Sequence, residues 1–195
     1  INDPERCMTV SGIAAAARAA GARIFLPRPD AFRTVVEPAN QRLARWSFLY
    51  GPFRNVTVVI GIPVVKNHSL AGATLGMKNW YGLLGGPRNQ LHQDIHTSIA
   101  DLATLVKPTF TILDATRVMF RNGPTGGSPG DVRPERTLAV GVDPVALDVF
   151  GASLLGMSHH ELPSLAEAAR RGLGVLDPRD AGFEMLPGAR VGGLQ

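Results

Sequence analysis

The sequence predicts an α/β domain with a mainly parallel sheet and helices on both faces. Three observations predict it. Short apolar runs of strand length alternate with longer amphipathic stretches. The strand runs are nearly continuous rather than alternating, as in strands covered on both sides. Pro, Gly or Asp punctuates most of these runs, so elements are short and turns frequent.

The elements follow in chain order. Ser11 precedes an alanine-rich stretch closed by Gly21, a short helix with a Ser N-cap and a Gly C-cap. Residues 22–26 read as a short strand stopped by Pro27 and Pro29, and a helix is expected within 40–49. Residues 56–60 are β-branched and read as a strand buried on both faces. The stretch 63–86 is dense in glycine and polar residues and reads as irregular. In 93–106, Ile95, Ile99, Leu102, Ala103 and Val106 form one helical stripe, ended by Pro108. Residues 110–113 form a buried strand closing at Asp114, and 122–130 form a Gly/Pro loop. Residues 137–142 give a third strong strand. Asp143-Pro144 is an N-cap with proline at the first helical position, opening a helix over 144–155. A last helix spans 163–171, and the glycine-rich tail reads as a loose edge.

The chain of 195 residues is read as one domain, 1–195, with its motifs between about 56 and 175. Hydrophobic residues at 45% and charged residues at 18% exclude a disordered chain. The net charge is +4, but the basic residues form no run or block, so nucleic acid is not an expected partner. Cys7 is the single cysteine, so this chain alone builds no disulfide framework and no iron–sulfur cluster. No apolar stretch approaches the ~18 residues of a membrane span. The chain begins at Ile1, and its opening lines read like the interior of a domain. A fragment of a larger domain, or a processed product, is therefore expected. The compartment stays open between cytoplasmic and exported after removal of a signal.

In parallel sheets ligands sit beyond the carboxyl ends of the strands. That rule singles out 63–68, 114–117 and 142–143. Lys66, Asn67 and His68 follow the 56–60 strand, with Lys78 and Asn79 downstream. The chain has three lysines against seventeen arginines, and two of the three fall here. A compact ammonium whose pKa can be lowered suits an anion clamp or a base; two solvated lysines beside a loop is the plainer reading. His92 and His96 stand at i and i+4, neighbours on a helix at the edge of its buried face. They suit an acid/base or a divalent metal, though sequence supplies no third ligand. Asp114, at a strand's end, suits a base, a ligand or the orienter of a histidine, or simply caps a turn. Gly72, Gly76 and Gly82 would let backbone amides approach a ligand, and Gly123 lies in the Gly/Pro loop after Asp114. Asp143 reads as an N-cap. Asp148 lies in a helix apolar nearly all round, so its carboxylate needs a partner.

These residues carry a resemblance. Ile62-Pro63-Val64-Val65-Lys66-Asn67-His68 and Thr74-Leu75-Gly76-Met77-Lys78-Asn79-Trp80-Tyr81-Gly82 resemble the motifs of domain-of-unknown-function family 362. His92, Asp114, Gly123-Pro124 and Asp143, Ala146 and Asp148 fit the same pattern downstream. The resemblance implies a partner of iron–sulfur or redox systems. Some members carry a ferredoxin-like cysteine module, which this chain lacks. It also implies that the family's amino-terminal strand-and-helix portion is missing or shortened here, and that export signals occur among relatives.

The expected site therefore gathers Lys66, His68, Lys78, His92 and Asp114 as catalytic groups, with Asn67, Asn79 and Gly123 binding substrate and His96 a weaker member. The expected function is an enzyme acting on a small anionic substrate, its reaction open between redox chemistry and isomerisation by proton transfer. Cofactors stay open, with a divalent metal at His92 and His96 as a variant. The alternative is a non-catalytic anion- or metal-binding domain that docks on a redox, iron–sulfur partner. An enzyme should enclose the cluster in an apolar hollow; a docking domain should leave it on an open face beside an exposed apolar patch.

Overall fold

The computed structural model describes residues 3–186. The glycine-rich tail from 187 onward lies outside the described residues. The chain is α/β, with six α-helices and a mixed sheet among the described residues.

Two short helices open it, α1 (Pro4–Val10) and α2 (Ile13–Ala19). Asp3 caps α1 through the Arg6 N–H, and Gly12, at φ 77°, turns the chain between them. The helix expected between Ser11 and Gly21 is α2, capped by Gly12, whereas Ser11 ends the preceding α1 instead of starting α2. Residues 22–26 form no strand, since no neighbouring strand pairs with them. Next comes an antiparallel hairpin of β1 (Phe32–Val36) and β2 (Arg45–Leu49). It replaces the helix expected within 40–49. The alternation of Trp46 and Phe48 with Arg45 and Ser47 is a period of two, and aromatic residues favour a pleated surface.

The main sheet is built on β6 (Phe110–Met119). One edge of β6 takes β3 (Ile60–Gly61) and then β4 (Val64–His68), both parallel to it. The other edge takes β7 (Val132–Gly141), antiparallel, and β5 (Gly72–Thr74) pairs antiparallel with β4. Three of the five strands point the same way, so the sheet is mostly parallel but mixed. The antiparallel β7 has a clear cause. The loop at 122–130 joins β6 to β7 with no crossover helix, and only antiparallel neighbours can be joined so directly. The stretch 63–86 is also more ordered than its composition suggests, since it holds β4, β5 and the one-turn helix α3 (Gly76–Asn79).

Four helices cover one face: α3, α4 (Ile95–Leu105), α5 (Pro144–Leu154) and α6 (Pro163–Arg170). Helix α5 lies on β6 and β7, α3 on α4 and α5, and α6 against α4. Thr111, Leu113, Ala115 and Val118 of β6 face these helices and are buried. The opposite face carries Ile60, Ile62, Val64, Leu138 and Val140, between 44% and 65% exposed. Register puts Ile112 beside Val140, and Asp114 beside both Val64 and Leu138, on that same face. Helices on both faces were expected; among the described residues they cover one. The run 56–60 was read as doubly buried, yet Val56 and Val58 are exposed and only Ile60–Gly61 is strand. A β-branched run signals extended backbone, not the presence of a layer on each side.

Candidate functional site

The cluster forms where β4 ends and α3 begins. Lys66 and His68 alternate along β4, half-buried, and share one side of the strand. The chain returns through β5 into α3, whose start is fixed from across the core. Asp148 of α5 accepts the N–H of Gly76 at 2.6 Å and of Met77 at 3.0 Å. A β-carbon at Gly76 would stand 2.8 Å from that carboxylate oxygen, which is why glycine occupies the turn. This docking carries Lys78 into the interior, where it is 9% exposed. The Lys78 ammonium lies over the Tyr81 ring, 5.0 Å from its centroid. The other partner of that ring is His92, stacked at 5.9 Å.

Neighbouring basic groups bear on His68 and Lys78. The His68 imidazole is pulled down to about 4, first by burial and then by the charges of Lys78, His92 and Lys66. Lys78 is pulled down to about 8 by burial, then by Lys66 and Arg88. Burial pushes the Tyr81 phenol up to about 12, and its oxygen has no hydrogen-bond partner. None of the ion pairs among the described residues involves Lys66, Lys78, Arg88 or either histidine. The arrangement concentrates positive charge, and the acid beside it, Asp148, gives its carboxylate to the Gly76 and Met77 amides. Lys78 and Asp148 line one small cavity beside Leu75 and Ile99, but the cluster is not enclosed in a large hollow.

The charges of Lys66, Lys78 and His92 thus reach His68, and Lys78 and His92 share the Tyr81 ring. Tyr81 and Arg88 join them, and sequence reasoning gave neither a role. Tyr81 had one usable signal, its place three residues after Lys78 on a helical turn. Several expected members stand elsewhere. Asp114 orients no histidine: its Oδ1 accepts both the Thr116 N–H and the Thr116 hydroxyl, at 2.8 and 2.7 Å. It sits within β6, not at its end, on the open face of the sheet. Asn67 is bound to backbone, donating to the Gly72 carbonyl and accepting from the Gly123 N–H. Gly123 is buried against it, and a β-carbon there would come within 2.0 Å of the Asn67 carbonyl oxygen. Asn79 is exposed at the end of α3.

His92 and His96 do not share a helix. His92 lies on a 3-10 segment, Arg88–Asp94, and Asp94 leaves the helical region before α4 starts at Ile95. The i, i+4 geometry that made them neighbours is therefore lost. His96 is half-buried, its Nδ1 without a partner, and burial lowers its pKa. No group of three or more His, Cys, Asp or Glu side chains among the described residues is placed to hold a metal ion. Asp143 is the expected N-cap, accepting from Val145 and Ala146, and it also takes the Val175 N–H.

The family model for a domain of unknown function, DUF362, matches residues 1–153. The chain belongs to the DUF362 family. The match takes in the amino-terminal stretch before the Lys66–His68 motif, so that stretch is part of the DUF362 region. A thylakoid-associated protein of Synechocystis sp. is 29% identical over 124 residues. Those residues are 60% of this chain, which spans 38% of the length of that relative. No solved structure matches this DUF362 chain. No helix among the described residues is long and apolar enough to cross a membrane.

Proposed function

We propose that this DUF362 chain binds a small oxyanion at Lys66, His68, Lys78 and His92. One observation carries the reading. Basic groups from three separate elements act on His68 and Lys78, and no carboxylate stands among the groups that perturb these two. Crowding like charges in a half-buried place costs stability, and a bound anion offsets that cost. Lys78, pulled down to about 8, can exchange a proton near neutral pH, as acid/base chemistry on such a substrate requires.

Isothermal titration of the protein with sulfate, inorganic phosphate and malonate tests the reading. Binding of at least one, weakened tenfold or more in Lys78→Met, supports it. Equal binding in the native protein and in Lys78→Met overturns it. Against turnover stands the alternative of an accessory domain that docks on a redox partner. It draws on the open apolar sheet face. Nothing among the described residues says what covers that face, so the anion site leads.

A further inference from the structure

We propose that His68 is a fixed, neutral Nε2–H donor to an oxygen of the bound anion, and not a carrier of protons. The inference rests on the anion reading above and deepens it. The His68 Nδ1 lies 3.2 Å from the Leu70 nitrogen and 3.2 Å from the Ala71 nitrogen, and it accepts both N–H bonds. A ring nitrogen that accepts carries a lone pair, so the ring proton sits on Nε2. Placing a second proton on Nδ1 would set an N–H against two N–H donors and break the turn after β4.

The charged surroundings agree with the geometry, and they and burial outweigh a backbone hydrogen bond at His68 itself that favours the charged ring. The charged groups that bear on the ring are Lys66 from its own strand, Lys78 from α3 and His92 from the 3-10 segment. All are basic. In the usual acid/base histidine a carboxylate accepts from Nδ1–H and stabilises the imidazolium. Here backbone donors occupy that position, so the polarity is reversed and the imidazolium is disfavoured. Nε2–H remains as a donor with fixed direction. The ligand atom it meets must bring a lone pair, which fits an ionised phosphate or carboxylate oxygen and rejects an ammonium. The group left to move a proton is Lys78.

Long-range nitrogen–proton correlation spectra of the labelled native protein, without added anion, read the tautomer directly. The Nε2–H form is expected from pH 5.5 to 9 with no titration in that window. An Nδ1–H form, or a midpoint near the ordinary value of 6.5, overturns the proposal. Sulfate titration then compares His68→Gln, whose amide can donate from the Nε2 position, with His68→Leu. Affinity within about threefold of native for Gln, and a tenfold or greater loss for Leu, supports the donor role. Equal losses in the two, with unchanged melting curves, overturn it. If the native protein shows the Nε2–H tautomer but binds none of sulfate, phosphate and malonate, the anion reading falls and the donor role with it, while the locked ring stands.

Discussion

The Asp148 carboxylate holds the Gly76 N–H at 2.6 Å across the core, joining α5 to the first residue of α3. This buried acid was expected to need a partner, and the structure gives it two backbone amides. Removing it strands both donors in the interior. Asp148→Ala is therefore expected to cost about 2–4 kcal/mol, the sum of two unsatisfied amides reduced by local relaxation. Urea unfolding at pH 7 measures it, and a loss under about 0.5 kcal/mol, the range of an ordinary surface change, would sink the assignment.

Gly123 was expected among the substrate-binding residues; its environment explains it as packing. The amide is taken by Asn67, and a β-carbon would meet the Asn67 carbonyl oxygen, a backbone atom with little room to yield. Gly123→Ala should lower the melting temperature by several degrees, consistent with an overpacking cost of about 1–3 kcal/mol. An unchanged melting curve with altered anion binding would return Gly123 to the site.

Asp101 on α4 had no role in the sequence reading, yet it organises a loop and a helix contact. Fully buried, it accepts from the backbone N–H groups of Gln41, Arg42 and Leu43 and from the Arg171 guanidinium at 2.6 Å. Asp101→Ala leaves three amides without their acceptor and Arg171 with Glu167 as its remaining partner, and should cost about 3–5 kcal/mol. Arg171→Ala leaves Asp101 with its amides, so the smaller loss is expected there. Denaturant unfolding of the pair checks the order; the reverse order would make the guanidinium the anchor.

The parts legible in sequence were those with a local cause. Asp143-Pro144 announced an N-cap, and the stripe from Ile95 to Val106 announced a helix, because both signals lie within a turn or two. The rarity of lysine singled out Lys66 and Lys78, and the fold brings them together with His68 and His92. The misreadings have long-range causes. The i, i+4 spacing of His92 and His96 assumed a continuous helix, but the backbone leaves the helical region at Asp94. Asp114 looked terminal because the apolar run stops there, yet β6 continues to Met119 by pairing with β7. Residues 40–49 looked helical until their partner strand, β1, supplied the hydrogen bonds.

Stability should fall on the acid side through His68. Its folded pKa is depressed to about 4 from an ordinary 6.5. Between those values the unfolded chain binds the proton more tightly, so stability rises with pH in that window. The contribution is complete above about 6.5 and is lost as pH falls through about 4. His68→Gln removes this titration. Urea midpoints of the two proteins, followed from pH 7 to pH 4, should fall less steeply in the variant; parallel curves would mean the ring is not held neutral.

Lys78 gives the last prediction, on the basic side. The ammonium is pulled down to about 8 by burial and by Lys66 and Arg88, so it loses its proton as pH rises through that value. Sulfate is doubly ionised throughout, and any change in its affinity therefore belongs to the protein. Affinity should be highest below pH 8 and fall above it. Bound sulfate favours the charged amine, so the Lys78 midpoint should move upward in its presence. Lys78→Met keeps the apolar stem against Tyr81 and removes the charge. It should bind sulfate at least tenfold more weakly at pH 7, with little pH dependence near 8 and a melting temperature equal to or above that of the native protein. A variant that instead unfolds at much lower temperature would make the amine a structural group, held by contacts other than an anion.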